Sequence, residues 1–360
     1  MKKLIASLMV LSMVLVGCSG SNKKTEIALI TDSGGINDKS FNQSAWEAVK
    51  EYGEKNGKGY KYYKPATFDD EGYKKQIKSA VKNGAKIVVL PGFKFANAVG
   101  DMQEDKAYKN VKFVCIDFTP TKKDAAVEPA ANVYCASYKE QQPGYLAGYA
   151  AVKDGYTKLG FMGGISLPSV INYGYGYLQG ANDAAKELNK KITVNYTYTG
   201  SFNESPSIKT QATAWYNSGT EIIFSCGGQI CNSVFAAAED TKKFSIGVDS
   251  DQKDDSKTVV TSALKNVKQT VADQIAAIYG NKFKGGAYVL DATGSYIGLS
   301  SDFSRFKKFK KADYEAEYAK IKDGKTQILT HSDDESAKGN PNKTVKLKAA
   351  LTNVTVKFEG

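Results

Sequence analysis

Histidine is almost missing from this chain: His331 is the only one in 360 residues. That removes His-rich metal sites and a His-based catalytic triad, which need imidazoles at defined places. Cysteine is scarce, with 5 residues, so a disulfide scaffold is excluded. With 33 glycines and 8 prolines, the chain is not collagen-like. Beyond the N-terminal leader no apolar run reaches the ~18 residues that mark a membrane-spanning helix. The phosphate-cradling pattern G-x-x-x-x-G-K-[ST] is absent, and no G-x-G-x-x-G follows the first strand-like run. Gly174, Gly176 and Gly180 come near that pattern but are off by one, in a Tyr-rich helical stretch. They read as lobe structure or cleft rim. No nucleophile has a base beside it and no metal set is recognisable, so neither catalysis nor a cofactor is expected.

What is present is ordinary for a folded soluble protein: 42% apolar and 24% charged residues. The length suggests two domains of roughly 100–200 residues each. Lys and Arg number 49 against 38 Asp and Glu, a net charge of +11. Such a balance suits an anionic surface, nucleic acid or membrane, without choosing between them.

The start of the chain reads as a leader. Lys2 and Lys3 precede an apolar run from Leu4 to Val16, too short to span a bilayer and right for a signal-peptide core. Leu15-Val16-Gly17-Cys18 resembles a bacterial lipobox, with a polar stretch from Ser19 to Lys24 behind it. Residues 1–17 are therefore expected to be removed and Cys18 to carry the lipid (palmitate). A lipid plus a basic body favours an anionic membrane surface. The expected location is the extracytoplasmic face of the cell membrane. The other cysteines, Cys115, Cys135, Cys226 and Cys231, lack zinc-ribbon spacing; an exported chain allows them to pair as disulfides, and the favoured reading is small apolar core residues.

Strand-length apolar runs recur at 27–32, 86–91, 112–117, 132–138, 158–163, 192–199, 221–226, 244–249 and 258–264. Several are nearly continuous in Val, Ile and Phe, as in parallel strands buried on both faces. Helical stripes lie between them: Phe41, Ala45, Ala48, Val49 and Tyr52 in one, Tyr73, Ile77, Ala80 and Val81 in another. The alternation predicts an α/β protein with two parallel sheets of about five or six strands. A helix is expected over 312–321, and an edge strand within 344–358.

Ligands of open α/β sheets lie beyond the carboxyl ends of the strands. Three runs end there in an acid: Asp32, Asp117 and Asp249. Acids suit hydroxyl and N–H donors and disfavour phosphate. Gly227 and Gly228 end a fourth run and either admit close backbone approach or form a plain turn. Asp38 is the better helix cap, which leaves Asp32 free for the cleft. Asp251 is the solvated member of its pair with Asp249.

These residues also carry a resemblance. Asp32-Ser-Gly-Gly-Ile-Asn-Asp-Lys-Ser-Phe41-Asn42-Gln43 resembles the opening motif of the basic membrane protein (Bmp, PnrA-like) lipoproteins, substrate-binding proteins of bacterial ABC importers. Gly200 to Pro206, Gly247 to Gln252 and Thr261 to Lys265 match further blocks in the family's order, and the likeness runs to about Gly324. It implies the type I periplasmic-binding-protein fold: two Rossmann-like lobes, three crossovers and a cleft. The lobes are expected at 24–137 plus 262–290, and at 138–261 plus 291–360. Members of known ligand bind purine nucleosides. The resemblance implies a monomer that binds a purine nucleoside and delivers it to an ABC permease and its ATPase, with no nucleic-acid partner.

On this reading Phe41 stacks on the purine, with Phe202 or Phe224 as the second aromatic face. Asp32 and Asn42 contact the ligand from the opening motif. Asp117 accepts from the base edge and Asp249 from ribose hydroxyls. Lys265 neutralises the acids and holds a hydroxyl. The basic stretch 304–311 reads as a solvated segment and His331 as a surface residue. Two rivals stand beside this reading: a nucleoside-processing enzyme, and a non-transport sensor or adhesin on the same fold.

Overall fold

The computed structural model describes residues 24–359, so the leader and Cys18 lie outside the described residues. The chain opens with β1 (Ile27–Ile30), whose four side chains are all buried, as its continuous apolar composition dictates. In α1 (Phe41–Asn56), Ala45, Ala48 and Val49 form the buried stripe, and Gly57 ends the helix at φ 63°. Then come β2 (Tyr60–Tyr63), α2 (Asp70–Lys82), β3 (Ile87–Pro91), α3 (Ala96–Met102) and β4 (Lys112–Ile116). A short hairpin of β5 (Thr121–Lys122) and β6 (Ala125–Ala126) precedes β7 (Val133–Tyr138).

After β7 the chain crosses to a second lobe. It runs through α4 (Gln141–Asp154), β8 (Lys158–Gly163), α5 (Pro168–Glu187), β9 (Ile192–Tyr198), α6 (Pro206–Asn217), β10 (Ile222–Cys226), α7 (Ile230–Thr241), β11 (Phe244–Asp249) and β12 (Val259–Lys265). It returns through α8 (Val267–Tyr279), which packs on α1, and β13 (Gly286–Leu290). A third crossing leads to β14 (Ile297–Leu299), α9 (Lys311–Lys322), α10 (Val345–Ala350) and β15 (Val354–Glu359).

The first sheet has the order β13-β7-β4-β3-β1-β2 and is parallel throughout. The second has the order β14-β12-β11-β10-β8-β9-β15, with only β14 antiparallel. The α/β class with parallel sheets is thus the observed one, and each of the nine apolar runs is a strand. The boundary drawn at 262 needs correcting. Ser262, Ala263 and Leu264 pair with Gly247, Val248 and Asp249, so β12 stays in the second sheet and the chain crosses back only after Lys265. The edge strand expected within 344–358 is β15, which follows a short helix and pairs with β9 at the sheet edge.

The near-miss glycine pattern has a packing explanation. Helices α4 and α5 meet backbone to backbone, and a Cβ at Gly144, Gly148, Gly176 or Gly180 would overlap the facing helix. The four internal cysteines are buried free thiols. No described helix is long and apolar enough to cross a membrane.

Candidate functional site

A cavity of about 810 Å³ opens between the carboxyl ends of the two sheets. Nine of the ten residues singled out from the sequence line it: Asp32, Phe41, Asn42, Asp117, Phe202, Gly227, Gly228, Asp249 and Lys265. They come from both lobes, and the cavity sits where open parallel sheets place ligands.

The opening motif builds one polar pole. Asp38 accepts from the backbone N–H groups of Ser40, Asn42 and Gln43 at 2.9–3.0 Å, and so caps the start of α1. Asp32 accepts from Gly34 N–H at 2.7 Å and from the Asn42 amide at 3.1 Å. Asp32 is therefore both the turn-forming acid and a cleft acid. Burial pushes the carboxyls of Asp32 and Asp38 above their usual range, against the pull of these hydrogen bonds. Asn42 Nδ2 bridges the two acids, and its Oδ1 is buried with no donor among the described residues.

A second pole gathers around Lys265, which is 3% exposed. Its ammonium contacts Asp117 Oδ2 directly and lies 3.6 Å from Glu140 Oε1. It also lies over the rings of Phe41, Tyr138 and Tyr173 at 5.0, 5.4 and 5.9 Å. Burial works against this charge, but Asp117, Glu140 and Asp249 outweigh it, so the Lys265 pKa is raised and the group stays an ammonium. The acids share that single cation. Burial raises Asp117 despite Lys265, and it pushes Glu140 up to about 7. Asp249 accepts from Ser40 Oγ of the other lobe at 2.6 Å, and Tyr173 OH approaches its other oxygen at 3.4 Å. Asp117 Oδ1 is buried and has no donor among the described residues.

The aromatic question resolves by position. Phe224 is fully buried among Phe161, Tyr173 and Tyr177, so it belongs to the core. Phe202 is half-buried and lines the cavity. It sits on a floor of glycine: a Cβ on Gly164 would overlap its ring, and one on Gly227 would come within 3.0 Å of it. Gly227 and Gly228, at φ 154° and 56°, thus make room for Phe202 as well as turning the chain.

The wall residues not assigned to the cleft from the sequence include Glu140, Asn172 and His331. His331, expected at the surface, is half-buried at the cleft because the segment after α9 folds back onto α5. Glu140 stands two residues past β7, so the rule that picked out Asp117 also applied to it. Asp251 is exposed, as read.

Two parallel-stranded sheets joined by three crossings, with a polar and aromatic cavity between them, define a bilobal α/β protein with an interlobe cleft. A solute-binding protein of an ABC transporter system from Aeropyrum pernix has the same fold, with a TM-score of 0.78 at 21% identity over 91% of this chain and 98% of that one. The chain belongs to the Bmp family, described as ABC transporter substrate-binding protein PnrA-like, whose model matches residues 24–330. It is 33% identical to the ABC transporter nucleoside-binding protein BmpA of Lactococcus lactis, over 82% of this chain and 90% of that protein. It is 30% identical to a CD4+ T-cell-stimulating antigen of Listeria monocytogenes, over 90% and 97% of the two chains.

Proposed function

We propose that this substrate-binding protein takes a purine nucleoside into its cleft and delivers it to an ABC permease and its ATPase. The base lies between Phe41 and Phe202, where any purine offers a π-face to stack. The observation that carries the reading is the lining of the cleft, which sets Phe41 and Phe202 beside Asp32, Asn42, Asp117, Asp249 and Lys265. Rings that can stack on a base and acids that accept from N–H and O–H groups together suit a nucleoside better than a bare sugar. The name of the Lactococcus relative points the same way.

The geometry favours one change in the residue roles. Asp117 and Asp249 both act on Lys265, so they serve one part of the ligand. A cation flanked by acids suits a vicinal diol, which both donates and accepts. We therefore place the ribose at Asp117, Lys265 and Asp249, and the base edge at Asp32 and Asn42. The protein binds without turning its ligand over and works as a monomer held at the membrane through lipid on Cys18.

Mass spectrometry of ligand released from the purified protein, followed by calorimetry, tests the reading. Adenosine, guanosine or inosine is expected to bind far more tightly than free ribose or glucose, because stacking vanishes without the base. Equal binding of ribose would move the protein to sugar binding. Release of free base from inosine would make it an enzyme.

A further inference from the structure

One wall of the cleft carries a line of polar contacts with no role so far. Glu140 precedes α4, Asn172 lies in the second turn of α5, and His331 lies 159 residues further along the chain. The Glu140 carboxylate is 4% exposed, stands 3.6 Å from Lys265 Nζ and accepts from the Asn172 side chain. Asn172 Oδ1 accepts from the His331 backbone N–H at 2.9 Å and lies 3.3 Å from His331 Nδ1. A backbone N–H only donates, so this oxygen is an acceptor and the Asn172 NH₂ is the group that serves Glu140. The same oxygen takes the hydrogen of Nδ1, so the neutral form of the ring offers Nε2 as an acceptor, with no protein partner among the described residues.

The next step rests on the nucleoside reading. A purine nucleoside presents a base edge, a vicinal diol and one further hydroxyl on the exocyclic 5′ carbon. With the base edge at Asp32 and Asn42 and the diol at Lys265, the 5′-hydroxyl falls beside the diol pole. Glu140 is the acceptor adjoining that pole. We infer that Glu140, Asn172 and His331 form a specificity arm that receives the free 5′-hydroxyl and turns away a 5′-phosphate. Glu140, Asp117 and Asp249 surround a single ammonium, so a phosphate there would meet an excess of negative charge. A hydroxyl donates to Glu140 or to His331 Nε2 and meets no such conflict.

The test is calorimetry with the tightest-binding nucleoside, its 5′-deoxy analogue and its 5′-monophosphate, on wild type, Glu140→Gln and His331→Ala. Melting curves establish that each variant is folded. Wild type is expected to prefer the nucleoside over the 5′-deoxy analogue by about tenfold or more. It is expected to bind the monophosphate far more weakly than either. Glu140→Gln should lose about tenfold for the nucleoside and nothing for the 5′-deoxy analogue, and should bind the monophosphate better. His331→Ala should show the same selective loss on a smaller scale. Equal wild-type affinity for nucleoside and 5′-deoxy analogue overturns the arm. So does an equal loss of both ligands in Glu140→Gln, which would reduce Glu140 to a support for Lys265. Failure of every nucleoside to bind wild type overturns instead the nucleoside reading on which the arm rests.

Discussion

Replacing Asp117 separates two assignments of the same acid. Asp117→Asn keeps the shape and tolerates the left-handed backbone at φ 65°, where Ala would add strain of about 1–2 kcal/mol. It removes the charge that contacts Lys265 and changes the orphan oxygen Oδ1, leaving Glu140 3.6 Å from the ammonium. A charge-assisted hydrogen bond contributes roughly 1.5–3 kcal/mol, which is about a 10- to 150-fold change in affinity. If Asp117 holds the ribose, calorimetry should show that loss by the same factor for adenosine, inosine and guanosine. The 2′-deoxynucleosides should lose less, because they bring fewer donors to the pole. Folding should survive, since burial already raises this carboxyl and a neutral amide avoids that penalty. A loss that follows the donor pattern of the base and spares inosine relative to adenosine, or the reverse, would return Asp117 to the base edge and refute the two-pole arrangement.

Phe41→Ala should weaken every purine nucleoside alike, by about 5- to 150-fold from a stacking term of roughly 1–3 kcal/mol. A large fall in melting temperature with affinity intact would show instead that Phe41 is a core residue. Glu140→Gln should alter the pH profile of stability. Its folded pKa of about 7 lies above the ordinary 4.5, so the folded state holds the proton more tightly and stability falls as pH rises across that window. Lys265 on β12, Asp117 after β4 and Asp249 on β11 face this group with charge, and Asn172 on α5 with a neutral amide. Thermal melts of the variant should lack that decline between pH 4.5 and 7, and an unchanged profile would mean that Glu140 does not titrate there. Cys18→Ser should release the protein from membranes in fractionation at high salt, and full retention would remove the lipid anchor.

The strands that were legible are the ones whose physics is written locally. β1 and β3 are buried on both faces and therefore read as unbroken apolar runs. β2 and β13 gave no such signal: both are sheet edges, with Tyr63 the only buried residue of β2 and none buried in β13. The site followed the same division. Strand-end acids could be found because the fold class fixes where strand ends converge. Asn172 and His331 could not, because their meeting depends on how a late segment packs against α5.

Turn chemistry and the proposed ligand role call for the same residue type at two of the acids. Asp117 follows β4 and Asp249 ends β11, and both adopt the left-handed conformation, at φ 65° and 64°. Few residues other than glycine adopt it readily, and Asp is one of them. In each lobe the turn ends the strand and leaves the carboxylate in the cleft beside Lys265. A glycine would make the same turn with no acid, and a bulkier acid such as glutamate would strain it. Backbone conformation and the proposed ligand role therefore select the same residue type at both positions. Asp249→Gly should accordingly retain stability while losing affinity, whereas Asp249→Glu should lose both.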